Sequence, residues 1–376
     1  MFEFTKEQEM LRAMVREFAD TELAPRALEL DEKGEFPFDI VKKLGQLGII
    51  GMALPKEFGG AAIGYLAATI AIEELARVYP SIAFFTMVSQ VPMYAIENFG
   101  TEEQKKKYLP PVIRGEKIIC IAATEATGGS DIANLGTEAV AADEDGYTIN
   151  GRKVMITNGG VTDYAVLLAK TGDRASMFLV EKETPGFTVG RREEEMGFKS
   201  LHVSELVFND CKVPRENLIG KEGSGFSIAM TAISHNRASI GAIGLGIARG
   251  AFEIALKYSK ERVLYGKPIS NLQAIQFMLA DMETEIDAAK WLIYYPRAAM
   301  DRGLSPREIG KHLSRAKVVG TEAALNVTKN AIEILGGYGV SREYHLARLL
   351  NDSMELFAAA GTNQILKVIQ AGEILK

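Results

Sequence analysis

Four short stretches combine residue types that can bind or polarise a ligand. Thr124-Glu125-Ala126-Thr127-Gly128-Gly129-Ser130-Asp131 sets hydroxyls and paired glycines at the end of an extended segment. Backbone amides and hydroxyls in such a loop can hydrogen-bond a planar heterocycle or an anion, although an ordinary surface turn accounts for the composition equally well. Lys153-Val154-Met155-Ile156-Thr157-Asn158-Gly159 reads as a strand closed by a Thr-Asn-Gly turn, or as a plain hairpin. Arg262-Val263-Leu264-Tyr265-Gly266-Lys267-Pro268-Ile269, followed by Gln273, joins a guanidinium, an aromatic ring and a turn at a helix junction. That guanidinium can pair with a pyrophosphate or with a helix-end carboxylate. Near the C-terminus, Phe357-Ala358-Ala359-Ala360-Gly361-Thr362-Asn363-Gln364-Ile365 reads alone as a helix stop before a new amphipathic segment.

Other chemistries find little support. His202, His235, His312 and His345 and the acids near them lack metal-ligand spacing, so no metal is assigned. No Gly-x-Ser-x-Gly elbow occurs. The glycines Gly241, Gly244 and Gly246 have a nucleotide-loop spacing but lie mid-helix with no strand before them, and close helix packing explains them better. Cys120 and Cys211 form no CxxC pair, which fits small packing thiols in a reduced, cytoplasmic setting. A net charge of −6 argues against nucleic acid and anionic membrane surfaces as partners. The apolar fraction of 47% and charged fraction of 24% are those of an ordinary globular protein. Neither a signal peptide nor a transit peptide is apparent, and no apolar run reads as a bilayer span.

The elements that must position these stretches fall into three parts. Thr5 and Gln8 form a capping box ahead of Met10, Leu11, Met14, Val15 and Phe18 at helical spacing. Further helices are expected at residues 38–46, 64–78 and 82–99, with a short one at 102–108 ended by Leu109-Pro110-Pro111. Short strand-like segments follow at 117–124, 147–149, 153–157, 165–170, 177–181 and 205–208. Turn signals at Asp145-Gly146, Asn150-Gly151, Asn158-Gly159-Gly160 and Pro185-Gly186 separate them. Helical periodicity returns over 226–263, 271–301, 306–335 and 341–351. The reading is α+β: a helical domain over 1–115, a small β-barrel or sandwich over 116–224, and a helical bundle over 225–376.

In this order the motifs resemble the acyl-CoA dehydrogenase family across nearly the whole chain. The resemblance includes Phe99-Gly100-Thr101-Glu102-Glu103-Gln104-Lys105, Val213-Pro214-Arg215-Glu216-Asn217-Leu218-Ile219-Gly220, Leu279-Ala280-Asp281-Met282 and Ile334-Leu335-Gly336-Gly337-Tyr338-Gly339. It implies an FAD enzyme acting on acyl-CoA thioesters. Thr124, Ser130, Met155 and Thr157 would line the isoalloxazine. Arg262, Tyr265, Gln273, Glu333, Gly336, Gly337, Thr362 and Gln364 would hold the remainder of the cofactor, with its adenosine diphosphate portion bound from a neighbouring subunit of a homotetramer. Electron-transferring flavoprotein is the implied electron partner. The chain departs from the family pattern at Ala126-Thr127-Gly128-Gly129, where Pro-Gly-Ala-Gly is usual, at Met155 for an aromatic, and at Glu333 and Leu366 for glutamines.

The largest departure lies in the C-terminal turn. By resemblance, the backbone N–H of Ala360 polarises the thioester carbonyl, and the side chain at this position should be the Glu that removes the α proton. Here it is alanine. The alternative base position in the family matches Asn236, which cannot serve. His235 has a suitable intrinsic pKa and is the candidate substitute. Ser89, Gln90, Asn236 and Arg237 are the expected substrate-side residues, and Glu355 reads as a scaffold or surface charge. The volume freed by Ala359 and Ala360 suits a bulky or cyclic acyl group. Two alternatives remain at this level: elimination of the desulfinase kind with structural FAD, and a flavin- or CoA-binding subunit without catalysis.

Overall fold

The computed structural model describes residues 4–142 and 146–375. Six helices open the chain: α1 (Lys6–Phe18), α2 (Ala27–Lys33), α3 (Phe38–Gln46), α4 (Tyr65–Val78), α5 (Pro80–Phe99) and α6 (Glu102–Ile113). Both reciprocal bonds of the expected capping box at Thr5 and Gln8 form, and Thr101 and Gln104 repeat the device at α6. The expected stop at Pro110-Pro111 does not occur. α6 continues to Ile113 because Leu109, Val112 and Ile113 are buried in the core, and tertiary packing outweighs the two lost amide donors.

A mixed sheet follows, built from β1 (Ile119–Ala122), β2 (Glu138–Ala142), β3 (Gly146–Ile156), β4 (Tyr164–Thr171), β5 (Arg174–Glu181), β6 (Phe187–Arg192), β7 (Ser204–Pro214) and β8 (Leu218–Ile219). The strand order is β6-β7-β3-β2-β4-β5-β8, with β1 pairing parallel to β4. Asn150-Gly151, expected as a turn, instead lies inside the continuous strand β3 as a register shift against β7. Gly151 is required there, since a Cβ would lie 2.4 Å from the Thr137 hydroxyl. Asp145, half of another expected turn, lies outside the described residues.

Helix α7 (Gly225–Glu261) then runs through the centre of the molecule. The hairpin β9 (Val263–Leu264) and β10 (Lys267–Pro268) leads to α8 (Gln273–Asp301), α9 (Gly310–Leu335), α10 (Leu346–Glu355) and α11 (Asn363–Ile374). Contrary to the expectation of no spanning run, α7 has the length and composition of a membrane span, but most of its apolar stretch is buried inside the fold. Its glycines do pack helices. A Cβ on Gly241 would lie 2.4 Å from the Ala316 carbonyl oxygen, and one on Gly244 would lie 2.2 Å from that of Gly320. One hydrophobic cluster joins both helical parts to one face of the sheet; a second, including Cys120, Phe178 and Phe208, fills the β part.

Candidate active site

The two loops expected to face a flavin are joined by a buried ion pair. Lys153 on β3 donates to Glu125 at 2.6 Å and to the Ala123 carbonyl at 3.2 Å. Glu125 also accepts from the amides of Gly136 and Thr137, at 2.6 and 3.0 Å, so one carboxylate gathers both ends of the loop after β1. The Val154 amide donates to the Thr124 carbonyl, which completes the coupling. Met155 then adopts φ +56° within a register shift of β3, leaving its side chain 54% exposed. Non-glycine residues are held in that region at a cost of roughly 1–3 kcal/mol, a strain that clusters where a ligand is met. Thr157 is half-buried and Ser130 is exposed. Asn158, fully buried at φ +63°, leaves both side-chain polar atoms without a partner among the described residues. Strained backbone, an outward side chain and an unpaired amide fit a heterocycle edge.

A second setting lies at the far end of the C-terminal helices. A cleft of about 570 Å³ is lined by Tyr258, Arg262, Leu272, Glu333, Gly336 and Gly337, a size usual for cofactor sites. Gly336 has φ +58°, and a Cβ on it or on Gly337 would meet open space. Tyr265, at φ +53° on the tip of the β9–β10 hairpin, is 93% exposed, and Gln273 opens α8 on the surface. Glu333 pairs with Lys329 at 3.5 Å, Thr362 caps α11, and Gln364 is exposed. None of the cleft's lining comes from the β part. The two sets expected to hold one cofactor therefore lie in separate settings of this chain.

The C-terminal turn forms the third setting. Ala360 sits at φ +48°, half-buried, and among the described residues its N–H finds no acceptor. The turn is held from below by Lys317 of α9. Its ammonium donates to the carbonyls of Phe357 and Gly361, at 3.0 and 3.3 Å, and to the Asn363 side chain at 2.7 Å. Burial, with the charge of nearby Arg237, pushes the Lys317 amine down to about 7. Thr321 exchanges hydrogen bonds with Asn363, which ties α9 to the start of α11. Leu366, where the family has a glutamine, is fully buried.

On α7, the expected substrate residues divide. Asn236 is fully buried, its amide reaching only the Ala232 carbonyl at 3.3 Å and its oxygen unpaired. Arg237 approaches Ser314 at 3.4 Å and leaves its Nε unpaired; burial lowers its guanidinium to about 10. His235 points elsewhere. Its ring stacks on Tyr94 at 4.1 Å and meets the edge of Tyr65 at 4.7 Å. Among the described residues both ring nitrogens lack partners, and burial holds the imidazole neutral. With Gln90, Tyr94 and Glu97 it lines a cavity of about 20 Å³, to which the C-terminal turn contributes nothing. This placement gives His235 an aromatic packing environment rather than that of a base beside Ala360. Ser89 turns its hydroxyl back to the Phe85 carbonyl at 2.9 Å. Glu355 accepts from the Gly197 amide at 2.6 Å, a scaffold role.

The descriptions "Acyl-CoA dehydrogenase, N-terminal domain", "middle domain" and "C-terminal domain" match residues 5–116, 120–211 and 223–375. The chain belongs to the acyl-CoA dehydrogenase family. It is 41% identical to an acyl-CoA dehydrogenase of Bacillus subtilis over 97% of both chains. It is 39% identical to the cyclohex-1-ene-1-carbonyl-CoA dehydrogenase of Geobacter metallireducens over the whole of both. A glutaryl-CoA dehydrogenase from Mycobacterium smegmatis in complex with FADH2 superposes with a TM-score of 0.94 at 29% identity, covering 99% of this chain and 95% of the other. The chain is accordingly a flavoenzyme of the class acting on CH–CH groups, with FAD as its cofactor.

Lys317, Asn363 and the Glu125–Lys153 pair escape sequence reasoning. A lysine on an amphipathic helix reads as a solvated side chain, and nothing local marks its acceptors some 40 residues later.

Proposed function

We propose that this acyl-CoA dehydrogenase family member dehydrogenates a bulky or cyclic acyl group carried as a CoA thioester, in the α,β or vinylogous sense, the proton going to a base relocated from positions 360 and 236 and the hydride to FAD. The observation that carries the reading is the state of Ala360. Its backbone keeps a conformation unfavourable for alanine, and its N–H stays unpaired, although its side chain brings no base. That combination is expected where the backbone donor is the working part. Met155 and Thr157 would hold the flavin, which when bound would supply a hydride acceptor. Ala360 orients and polarises the thioester carbonyl, while Asn236 and Arg237 offer buried polar atoms on the facing helix. Tyr265, Phe277 and Tyr295 expose large apolar surface around the cleft and along α8, in keeping with a homotetramer in which a neighbouring subunit completes the cofactor site. Electron-transferring flavoprotein is the proposed electron acceptor.

The test is anaerobic titration of the FAD-loaded protein with a panel of straight-chain, branched and alicyclic CoA thioesters. Bleaching of the flavin by a branched or alicyclic member is expected. Retained FAD that no member bleaches, with sulfite released from a sulfinated thioester, would replace dehydrogenation by elimination. In the same assay Ala360→Glu should raise turnover of butyryl-CoA by about 10²–10⁴-fold, the usual contribution of a positioned base. An unchanged rate with FAD bound would mean that the pocket differs by more than one side chain.

A further inference from the structure

We propose that Lys317 is a positioning residue for the carbonyl-polarising turn, its buried ammonium fixing the direction in which the Ala360 N–H points; this rests on the functional reading above. Lys317 is fully buried and has no carboxylate among its hydrogen-bond partners. A buried ammonium whose nearby acidic charge, Glu322, makes no hydrogen bond to it is costly to keep, and an apolar residue of similar length would fill the same space. What the ammonium alone provides is three donors. They go to the carbonyls of Phe357 and Gly361, which bracket Ala360, and to the side chain of Asn363, the first residue of α11. The Phe357 carbonyl also accepts from the Asn363 amide, so one end of the turn is closed twice. Ala360 lies between these fixed points at a φ that its own side chain disfavours. Without the clamp the turn can relax toward a commoner conformation, and its amide direction goes with it. An oxyanion-type donor works by direction: it must meet the carbonyl oxygen already aligned.

The role can be read without turnover. Crotonyl-CoA labelled with ¹³C at its carbonyl, added to the FAD-loaded protein, should show a carbonyl stretch lowered by the Ala360 hydrogen bond. In Lys317→Met at least half of that lowering should be lost while FAD and free CoA bind as before. Hydrogen exchange of the 357–363 amides, measured without any ligand, should quicken about tenfold or more as the turn opens locally. A Lys317→Met protein with the wild-type carbonyl frequency overturns the positioning role and leaves the functional reading standing. A wild-type protein that holds FAD yet leaves the carbonyl frequency unshifted overturns both. Should Lys317→Met fail to fold, Asn363→Ala removes one of the three acceptors; a partial loss of the shift is expected, and an unchanged shift overturns the proposal.

Discussion

The two halves of α7 treat buried polar groups in opposite ways. In the C-terminal half, Arg249 reaches both Glu73 and Glu74 of α4, the latter at 2.8 Å, and both carboxylates are essentially inaccessible. Arg12, Arg16 and Arg77 approach Glu74 as well, and the Tyr294 hydroxyl donates to Glu73. Glycines in this half let backbones approach until a Cβ would strike a carbonyl oxygen. In the N-terminal half, His235, Asn236, Arg237 and Ser239 leave buried polar atoms unpaired among the described residues. Arg297, which donates to the His235 carbonyl at 2.9 Å, leaves its Nη2 unpaired too. Arg12 Nε, Arg77 Nε and Glu74 Oε2 in the first network also lack hydrogen bonds, yet each lies in an ion pair, whereas Arg237 and Arg297 have no carboxylate within ion-pair distance among the described residues. Unpaired buried groups usually mark a place reserved for water, a ligand or chemistry. The contrast separates a part of α7 whose charges are ion-paired from a part where Asn236 and Arg237, the proposed substrate-side residues, keep unpaired atoms.

Removing one partner should break the first half most severely. Arg249→Ala leaves two carboxylates buried with their principal counterion gone, and the expected loss of stability is about 3–5 kcal/mol. Urea denaturation followed by circular dichroism measures it. A loss under about 1 kcal/mol would show that Arg12, Arg16 and Arg77 alone neutralise the pair.

The N-terminal half should respond in the reverse manner. Asn236→Leu replaces an amide whose oxygen has no partner and whose nitrogen makes one long bond, so stability should change by no more than about 1 kcal/mol in either direction. Affinity for CoA thioesters should fall instead, by up to about tenfold if one hydrogen bond is lost. Isothermal titration of the FAD-loaded protein with crotonyl-CoA separates the two effects. A large stability loss with unchanged affinity would assign Asn236 to the scaffold and erase the distinction between the halves.

Much of this architecture was legible in the sequence, and what was not has physical reasons. The three-part order and the long C-terminal helices follow from strong apolar periodicity, and the glycines of α7 were read as packing positions because no strand preceded them. β2 and β6 were missed because nearly all of their residues are exposed, so neither shows the alternation that marks a half-buried strand. Asn150-Gly151 misled because a bulge and a turn demand the same residues. At the candidate site, Ala360, Met155 and Arg262 were singled out through motif resemblance, but local sequence does not say where a side chain points. His235 and Asn236 are neighbours in sequence; about 100° of helix rotation sends one ring into an aromatic nest and leaves the other side chain beside unpaired polar atoms. Lys317 and Lys153 were invisible because long-range acceptors define both.

A third arrangement, near α10, sharpens the comparison with the smallest expected effect. Glu355 of α10 lies near Glu195 of the β6–β7 connection, and Asp352 and Glu355 both lie near Asp31 of α2; Arg348 acts on Asp352 and Asp31, and Arg192 on Glu195. Burial pushes Asp352 and Glu355 up to about 7, and burial with the Glu355 charge pushes Glu195 up to about 8. Their burial favours the protonated form of these carboxyls. Their folded pKa values lie above the unfolded ones, so the folded state binds more protons between about pH 4.5 and 8, and stability must fall as pH rises through that window. Glu195→Gln removes the group that titrates highest. The thermal midpoint of the variant should therefore decline less than that of wild type between pH 5 and 8, by scanning calorimetry in matched ionic strength. An identical decline would mean that Arg192 already compensates Glu195, and that this acidic group is paired in the manner of the α4 carboxylates rather than held apart from its charge.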